Sequence, residues 1–336
     1  MRNPIISIIV PVFNAEETIR KTIASILAQS KNAFELILVD DGSKDNSGII
    51  CDEYAALDQR IRVVHQVNAG VSAARNAGIA ISCGDYLGFV DADDWIEPKM
   101  YARLLEEAET TASDIIMCDA VTVYSDGRTQ TDTITQLSGN TLLKKTDFSP
   151  SLLLELAGSA CRCIYRKRLF GDRQMNPNGI HFPLGIKFSE DRIFNLYAFG
   201  SADKIAYVKE TYYYRYMNAG SAVHRFHADY FEACKASAKE IEKAIRLVWD
   251  DDEELQQAYL GQLITGAEMA ICNYYYKTST LSRGERLQAL QKLCNDESLR
   301  EAIRKYGPDR KSRWILNRNY FALILYALLA NLKHGR

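Results

Sequence analysis

Tyr86-Leu-Gly-Phe-Val-Asp-Ala-Asp-Asp-Trp-Ile-Glu-Pro98 sets a short apolar run against a cluster of acids. Tyr86, Leu87, Phe89 and Val90 have the length and composition of a buried strand, and the run stops at Asp91, Asp93 and Asp94. Three carboxylates at the end of a buried strand repel one another and lose hydration unless something cationic sits between them. Hard divalent ions, Mg²⁺ or Mn²⁺, take such oxygen ligands and keep places for water and substrate phosphate. By itself the triplet fits equally well a solvated turn that caps a helix beginning near Trp95. The segments before it separate the two readings.

Working back from Tyr86, the same alternation recurs. Ser7 to Phe13 is a continuous apolar strand ending at Asn14, followed by a helix from Ala15 to Gln29 with Ile19, Ile23, Ile26 and Leu27 at helical spacing. Phe34 to Val39 is a second buried strand, and it too ends in acids, Asp40-Asp41-Gly42-Ser43. A helix from about Asn46 to Leu57, a strand Ile61 to His65, the turn Asn68-Ala69-Gly70 and a helix Val71 to Ile81 complete the series. Strands alternating with helices through short connections indicate a parallel sheet covered on both faces. Ligands on such sheets gather beyond the carboxyl ends of the strands. Phe13-Asn14, Asp40-Asp41, Asn68 to Gly70 and Asp91 to Asp94 all fall there, so four polar turns converge on one crevice.

Composition limits what that crevice serves. The chain has 336 residues, 47% apolar and 25% charged, with a net charge of −2, which disfavours a general nucleic-acid binder. The N-terminal apolar stretch reads as a first strand without the cleavage region of a signal peptide. No apolar run reaches the ~18 residues of a membrane span. Eight scattered cysteines with no zinc-knuckle spacing read as reduced thiols in a cytoplasmic protein. The first strand lacks a following G-x-G-x-x-G, and G-x-x-x-x-G-K-[ST] is absent, which disfavours Rossmann and P-loop chemistry. Acids on the second strand suit base or ribose hydroxyls, those on the fourth suit a metal bridging a pyrophosphate, and the Arg75 fork suits phosphate charge. Structural alternatives exist for each: a turn with an N-cap for Asp40 to Ser43, a surface position for Arg75. Their coincidence on one crevice favours a nucleotide-diphosphate donor held through a metal.

Ser7-Ile-Ile-Val-Pro-Val-Phe-Asn14, Val39-Asp-Asp-Gly-Ser43, Asn68-Ala-Gly-Val-Ser-Ala-Ala-Arg-Asn76 and Val90-Asp-Ala-Asp-Asp94 resemble the successive motifs of glycosyltransferase family 2. Phe188-Ser-Glu-Asp-Arg-Ile-Phe194 and Tyr212-Tyr-Tyr-Arg-Tyr-Met-Asn-Ala-Gly-Ser221 extend the likeness. It implies an α/β fold of GT-A type, a mostly parallel sheet flanked by helices, followed by a C-terminal α-helical region. The expected bounds are residues 1–225 for the catalytic domain, divided near residue 98 into nucleotide-sugar and acceptor halves, and 226–336 for the helical region. The implied activity is inverting transfer of a sugar from a UDP-sugar to a glycan or lipid-linked acceptor, with a divalent metal, Mn²⁺ or Mg²⁺. By position, Pro11, Phe13, Asn14 and Glu16 would line the nucleoside pocket, with Asp40 or Asp41 on the uracil. Asn68, Gly70 and Arg75 would lie beside nucleoside and phosphate, Asp91 and Ala92 beside ribose or donor sugar, and Asp93, with Asp94, on the metal.

The same resemblance selects Asp191 as general base, supported by Glu190; an acid at a helix start is otherwise an ordinary N-terminal cap. Inverting transfer needs such a carboxylate within reach of the acceptor hydroxyl. Arg215, Ser221 and His224 are candidates to close over the pyrophosphate, although the tyrosines around Arg215 read as plain strand residues. Where the family often has a tryptophan and a lysine, this chain has Cys161-Arg-Cys-Ile-Tyr165, which leaves its acceptor side undefined. Ser125-Asp126-Gly127 reads as a hairpin turn between strands Ile115 to Tyr124 and Thr129 to Gln136.

After about Phe226 the pattern is all-helical: Asp229 to Trp249, Glu253 to Tyr276, Ser282 to Cys294 and Trp314 to Leu332. Six basic residues between Arg304 and Arg318 precede the apolar run Tyr320 to Ala330. Such a pairing can hold a protein on the inner membrane face; a buried last helix with a solvated flank, or a homo-oligomer contact, explains the same pattern. Two rivals to the transferase reading are a sugar-nucleotidyltransferase, which needs a Gly-rich basic loop after the first strand, and a non-catalytic scaffold, against which Asp91, Asp93 and Asp191 argue.

Overall fold

A computed structural model describes residues 4–171, 179–217, 226–306 and 309–333. The chain divides into two compact units, Met1–Gly185 with Ser189–Asn218, and Ile186–Phe188 with Ala219–Arg336. In the first unit the alternating apolar runs become β1 (Ile6–Val12), α1 (Ile19–Leu27), β2 (Phe34–Asp40), α2 (Ser47–Leu57), β3 (Ile61–His65), α3 (Val71–Ile81) and β4 (Tyr86–Phe89). These four strands pair in parallel in the order β3-β2-β1-β4. Every residue of β2 is buried and all but Pro11 of β1, as strands covered on both faces require.

Beyond β4 the sheet continues with β5 (Trp95–Ile96), α4 (Met100–Thr111), β6 (Ile115–Tyr124), β7 (Thr129–Asp132), β8 (Thr141–Leu143), α5 (Pro150–Leu156), β9 (Cys163–Arg166), α6 (Glu190–Ser201) and β10 (Ile205–Met217). Here the parallel rule breaks. β9 inserts antiparallel between β4 and β6, while β10 runs parallel to β6 and antiparallel to β5 and β8. The stretch Cys161 to Tyr165, whose residues leave the acceptor side undefined in sequence, leads into a central strand where Ile164 to Leu169 reads as a strand or its edge, with Cys163, Ile164 and Tyr165 fully buried. Trp95 does not begin a helix. Its ring stacks on Tyr214 at 5.5 Å, Lys21 Nζ sits 2.8 Å from the ring centroid, and the short β5 pairs with β10. The helix waits until Met100, after Pro98.

The second unit comprises α7 (Tyr230–Val248), α8 (Glu253–Tyr274), α9 (Arg283–Cys294), α10 (Glu297–Tyr306), α11 (Arg310–Leu316) and α12 (Tyr320–Lys333). Its core joins Phe231, Leu263, Ile271, Leu290, Leu299 and Leu323. The single helix expected from Trp314 to Leu332 is two. Arg318 adopts a left-handed φ of 54°, and Asn319 Oδ1 accepts the Ala322 N–H at 3.1 Å, capping α12.

Helix α3 lies close against β1 because Gly78 has no side chain: a Cβ there would stand 2.4 Å from Ile9 Cγ2. Gly78→Ala should therefore lower stability by roughly 1–3 kcal/mol, the range for overpacked cores, in a denaturant titration. An unchanged midpoint would show that α3 shifts freely on the sheet.

Candidate active site

The loops at the carboxyl ends of β1, β2 and β3 are tied to one another. Asn14, in a left-handed turn with φ of 49°, accepts the Lys44 N–H on Oδ1 at 2.8 Å and donates its own N–H to Ser43 Oγ at 3.1 Å. Glu16 Oε2 accepts from the Asn46 backbone and side chain at 3.0 and 2.8 Å. Gly42 has φ of 71°, and a Cβ on it would come within 2.9 Å of the Asn68 nitrogen. Only glycine lets these two turns approach so closely.

Asp40 and Asp41 do the tying. Asp41 is 3% exposed; its Oδ1 accepts from Gln66 Nε2 and the Ala69 N–H, and its Oδ2 from the Gly70 N–H at 2.8 Å. Asp40 accepts the Ser43 N–H at 3.0 Å, and its other oxygen lies 2.9 Å from His65 Nδ1. Burial alone would raise the Asp40 pKa, but the hydrogen bonds from Ser43 and His65 hold it below the usual carboxylate range. The same contact with Asp40, together with Asp52, raises His65. Neither aspartate, expected on the base, offers an unengaged oxygen at the surface. What faces outward here is Phe13, 47% exposed, with Asn14, Asn68 and Gly70. Pro11 is half-buried on β1, and Glu16 lines an open groove of about 510 Å³ with Glu17, Arg20, Asn46 and Glu53.

The fourth strand end is organised by Arg75, which leaves α3 inward with a side chain 3% exposed. Its Nη2 donates to Asp91 Oδ1 at 2.8 Å and its Nη1 to Asp191 Oδ1 at 2.6 Å, with Glu190 Oε1 at 3.6 Å. Phe182 closes one face, its ring centroid 4.8 Å from the guanidinium carbon. Burial would lower the Arg75 pKa, but the charges of Asp191 and Asp91 raise it well above its ordinary value, so the cation is permanent. Asp191 accepts a second hydrogen bond, from the Ala160 N–H at 3.0 Å. Glu190 is not so anchored; burial, then the charge of Asp191, push it up to about 7.

The three acids of the turn divide their work. Asp91 holds Arg75. Asp94 is buried, accepting Tyr213 O–H on Oδ2 at 2.6 Å and the Tyr216 N–H on Oδ1 at 2.8 Å. Burial and the charges of Asp91 and Asp93 raise its pKa well above the carboxylate range. Asp94, expected among the metal ligands, instead fixes the turn to β10. Ala92 turns its carbonyl to the hydroxyls of Thr18 and Thr22, both at 2.9 Å. Asp93 alone is exposed, yet loss of water around its carboxyl and the nearby Asp91 push it up to about 6.

Of the residues expected at the site, the structure brings Arg75, Asp91, Glu190 and Asp191 together, with Arg75, expected beside phosphate, buried on the two aspartates. Arg215 stands apart from that cluster of contacts, its Nη1 3.3 Å from Asp132. Ser221 and His224 lie outside the described residues. Missed from sequence were Tyr213, which pins Asp94 and accepts the Asp91 N–H at 3.2 Å, the Ala160 amide, and Phe182. Phe182 is itself seated by paired hydrogen bonds between its backbone and the Asn76 side chain at 2.8 and 2.9 Å. Tyr213 lies in the Tyr212 to Ser221 segment, whose tyrosines read as plain strand residues; nothing local marks Ala160 or Phe182, and all three come from segments distant in the chain from their partners.

Among the described residues no group of three or more His, Cys, Asp or Glu side chains is placed to hold a metal. Asp93 with the exposed side of Asp91 nevertheless fits a hard divalent ion. Asp91 bonds Arg75 through Oδ1 alone and Asp93 is exposed beside it, and Mg²⁺ and related ions are commonly held by one or two carboxylates with water and substrate phosphate.

Comparison with known proteins follows the same lines. Residues 7–173 match the model of glycosyl transferase family 2. EpsJ of Bacillus subtilis strain 168, an uncharacterized glycosyltransferase, is 40% identical over 214 residues, covering 62% of this chain and 60% of EpsJ. A poly(ribitol-phosphate) beta-glucosyltransferase of Bacillus spizizenii is 30% identical over 220 residues, 63% of this chain and 32% of that protein. The chain thus spans less than two-thirds of either relative's length. Residues 1–349 of S. aureus TarS, solved in complex with UDP-GlcNAc, share the fold with a TM-score of 0.64 at 20% identity, covering 98% of this chain and 92% of that one.

Glu190 supplies a stability test. Its folded-state pKa of about 7 lies above the ordinary 4.5, so its ionisation costs stability progressively as pH rises from the ordinary value through about 7. Glu190→Gln should therefore be more stable than the parent at pH 8, on the order of 2 kcal/mol, and lose that advantage near pH 4. Equal advantage at both pH values would mean that packing, not charge, is responsible.

Proposed function

The chain belongs to glycosyl transferase family 2, and from that premise we propose that it transfers a sugar from a UDP-sugar, with inversion, to a hydroxyl of a glycan or lipid-linked acceptor in surface-polymer synthesis. The observation that carries this reading is the Arg75 fork, whose two nitrogens hold Asp91 at the end of β4 and Asp191 at the start of α6. It sets a donor-side and an acceptor-side carboxylate on one buried cation. The UDP-GlcNAc complex of the similarly folded TarS supports a nucleotide-sugar donor, and the poly(ribitol-phosphate) relative supports a surface-polymer hydroxyl as acceptor.

In this reading the nucleoside lies over Phe13, Asn14 and the Asn68 to Gly70 turn, with the diphosphate toward Asp91 and Asp93. Those two aspartates would hold Mn²⁺ or Mg²⁺, which supplies Lewis-acid stabilisation of the leaving diphosphate. Asp191 takes the acceptor proton as the oxygen attacks the anomeric carbon from the face opposite UDP. The bond from Arg75 to Oδ1 and the bond from the Ala160 amide to Oδ2 orient Asp191. Glu190, ionising near neutrality, adds negative charge beside Asp191. Work on a lipid-linked acceptor would place the protein at the cytoplasmic face of a membrane.

Asp191→Asn should reduce UDP-sugar turnover in the presence of Mn²⁺ by about 10²- to 10⁴-fold, the usual scale for loss of a general base. Glu190→Gln should keep more activity but lose the rise in rate with pH around 7. Undiminished turnover in Asp191→Asn would sink the base assignment. Turnover indifferent to EDTA would remove the metal from the reading while leaving the transfer in place.

A further inference from the structure

Helix α12 carries an apolar face that its own unit leaves open. Phe321, Leu325, Leu328, Leu329 and Leu332 are 79, 46, 45, 58 and 74% exposed. At 100° per residue they fall within one arc of roughly 100°. Leu323, Ala327 and Asn331 occupy the opposite arc and are buried, Asn331 donating to the Cys272 carbonyl at 3.0 Å. The helix is therefore fixed in orientation by its inner side, and five large apolar side chains point outward in register. Single exposed leucines are ordinary on protein surfaces, but a contiguous stripe of this kind marks an interaction site.

The residues around the stripe identify its partner. Between Arg304 and Lys333 the sequence has seven Lys and Arg and one acid, Asp309. Asp309 spends its carboxylate capping α11 at the Ser312 N–H, and Lys311 is paired with Glu268. Among the described residues no ion pair engages the other six, Arg304, Lys305, Arg310, Arg313, Arg318 and Lys333, and all six are exposed. α11, which carries Arg310 and Arg313, packs against both α10 and α12. An apolar stripe beside a packed helix that exposes Arg310 and Arg313 complements an anionic bilayer, whose headgroups take the charges and whose acyl boundary takes the leucines. A second copy of this chain is a poorer match, since a twofold contact sets the same basic flank against itself. Crossing the bilayer is ruled out for this element: its 14 residues make about 21 Å of helix against a hydrocarbon core of about 30 Å. Among the described residues no helix is long and apolar enough to span one.

We propose that α12 lies flat on an anionic phospholipid surface, inserting Phe321, Leu325, Leu328, Leu329 and Leu332 while the cations around it hold the headgroups. The proposal stands apart from the sugar-transfer reading, because lipid binding is measured without donor or acceptor and either can fail while the other survives.

The test is flotation of the whole chain with vesicles of phosphatidylcholine alone or with about one-third phosphatidylglycerol. Binding to the anionic vesicles should exceed that to the neutral ones at least about fivefold and weaken with added salt. The double variant Leu325→Glu/Leu329→Glu, at exposed positions that leave the fold's melting curve unchanged, should lose at least about tenfold in binding. The triple variant Arg310→Gln/Arg313→Gln/Arg318→Gln should lose the preference for anionic vesicles. Absence of vesicle binding, or binding unaffected by the leucine substitutions, overturns the proposal. So does a lipid-free dimer that the same leucine substitutions dissolve, since that would make the stripe a contact between copies.

Discussion

A guanidinium buried to 3% exposure cannot stand without anions around it, and Arg75 meets that requirement with carboxylates drawn from two distant places in the chain. Asp91 follows β4 and Asp191 opens α6, 116 positions beyond Arg75. The dependence is mutual. Removing the cation would leave Asp91, Glu190 and Asp191 crowded with no counter-charge, the situation in which a broken buried pair costs about 3–5 kcal/mol. Phe182 on one face of the fork and the Ala160 amide on Asp191 complete the enclosure. Two further segments of the first unit are thereby located by the same charge.

A second principle governs the remaining strand ends: acids that look available in sequence are consumed in holding loops. Asp41 gathers Gln66, Ala69 and Gly70, and Asp40 gathers Ser43 and His65. Asp94 takes Tyr213 and Tyr216 from β10. Loop backbone at the edge of a parallel sheet has N–H groups with no strand partner, and a buried carboxylate accepting two or three of them satisfies those donors and its own charge together. The rigidity of these loops rests on such internal bonds, while Phe13, Asn14 and Asp93 stay exposed.

This division explains what was legible in the sequence. The strands and helices of the first ninety residues were, since Ile8, Leu36 or Ile23 declare their burial through neighbours one turn or one pleat away. The acid clusters were legible as clusters. Which member of each binds outward was not, because that depends on partners supplied from afar: Tyr213 lies 119 positions from the Asp94 it bonds. β9 was legible in part: Ile164 to Leu169 reads as a strand or its edge, and the structure sets the strand at Cys163–Arg166. Its central place between β4 and β6 was not legible, because that depends on partners from other segments. The break before α12 depends on a left-handed arginine, a conformation that residue type does not advertise.

The charges that are left over say the most about chemistry. Asp91, Glu190 and Asp191 set three carboxylates around a single shared guanidinium, and Asp93 stands beside Asp91. Arg75 settles firmly on Asp91 and Asp191, one from each side, and the two acids it does not hold closely are the ones whose proton affinity climbs, Asp93 to about 6 and Glu190 to about 7. The surplus is therefore not spread evenly; it is parked on one acid beside each anchored partner. At the strand end it falls on the outward-facing Asp93, and at the helix start on Glu190, beside the oriented Asp191. In the proposed reading these are the two places where a sugar transfer needs charge, Asp93 for a counter-ion to the diphosphate and Glu190 beside the Asp191 that takes the acceptor proton.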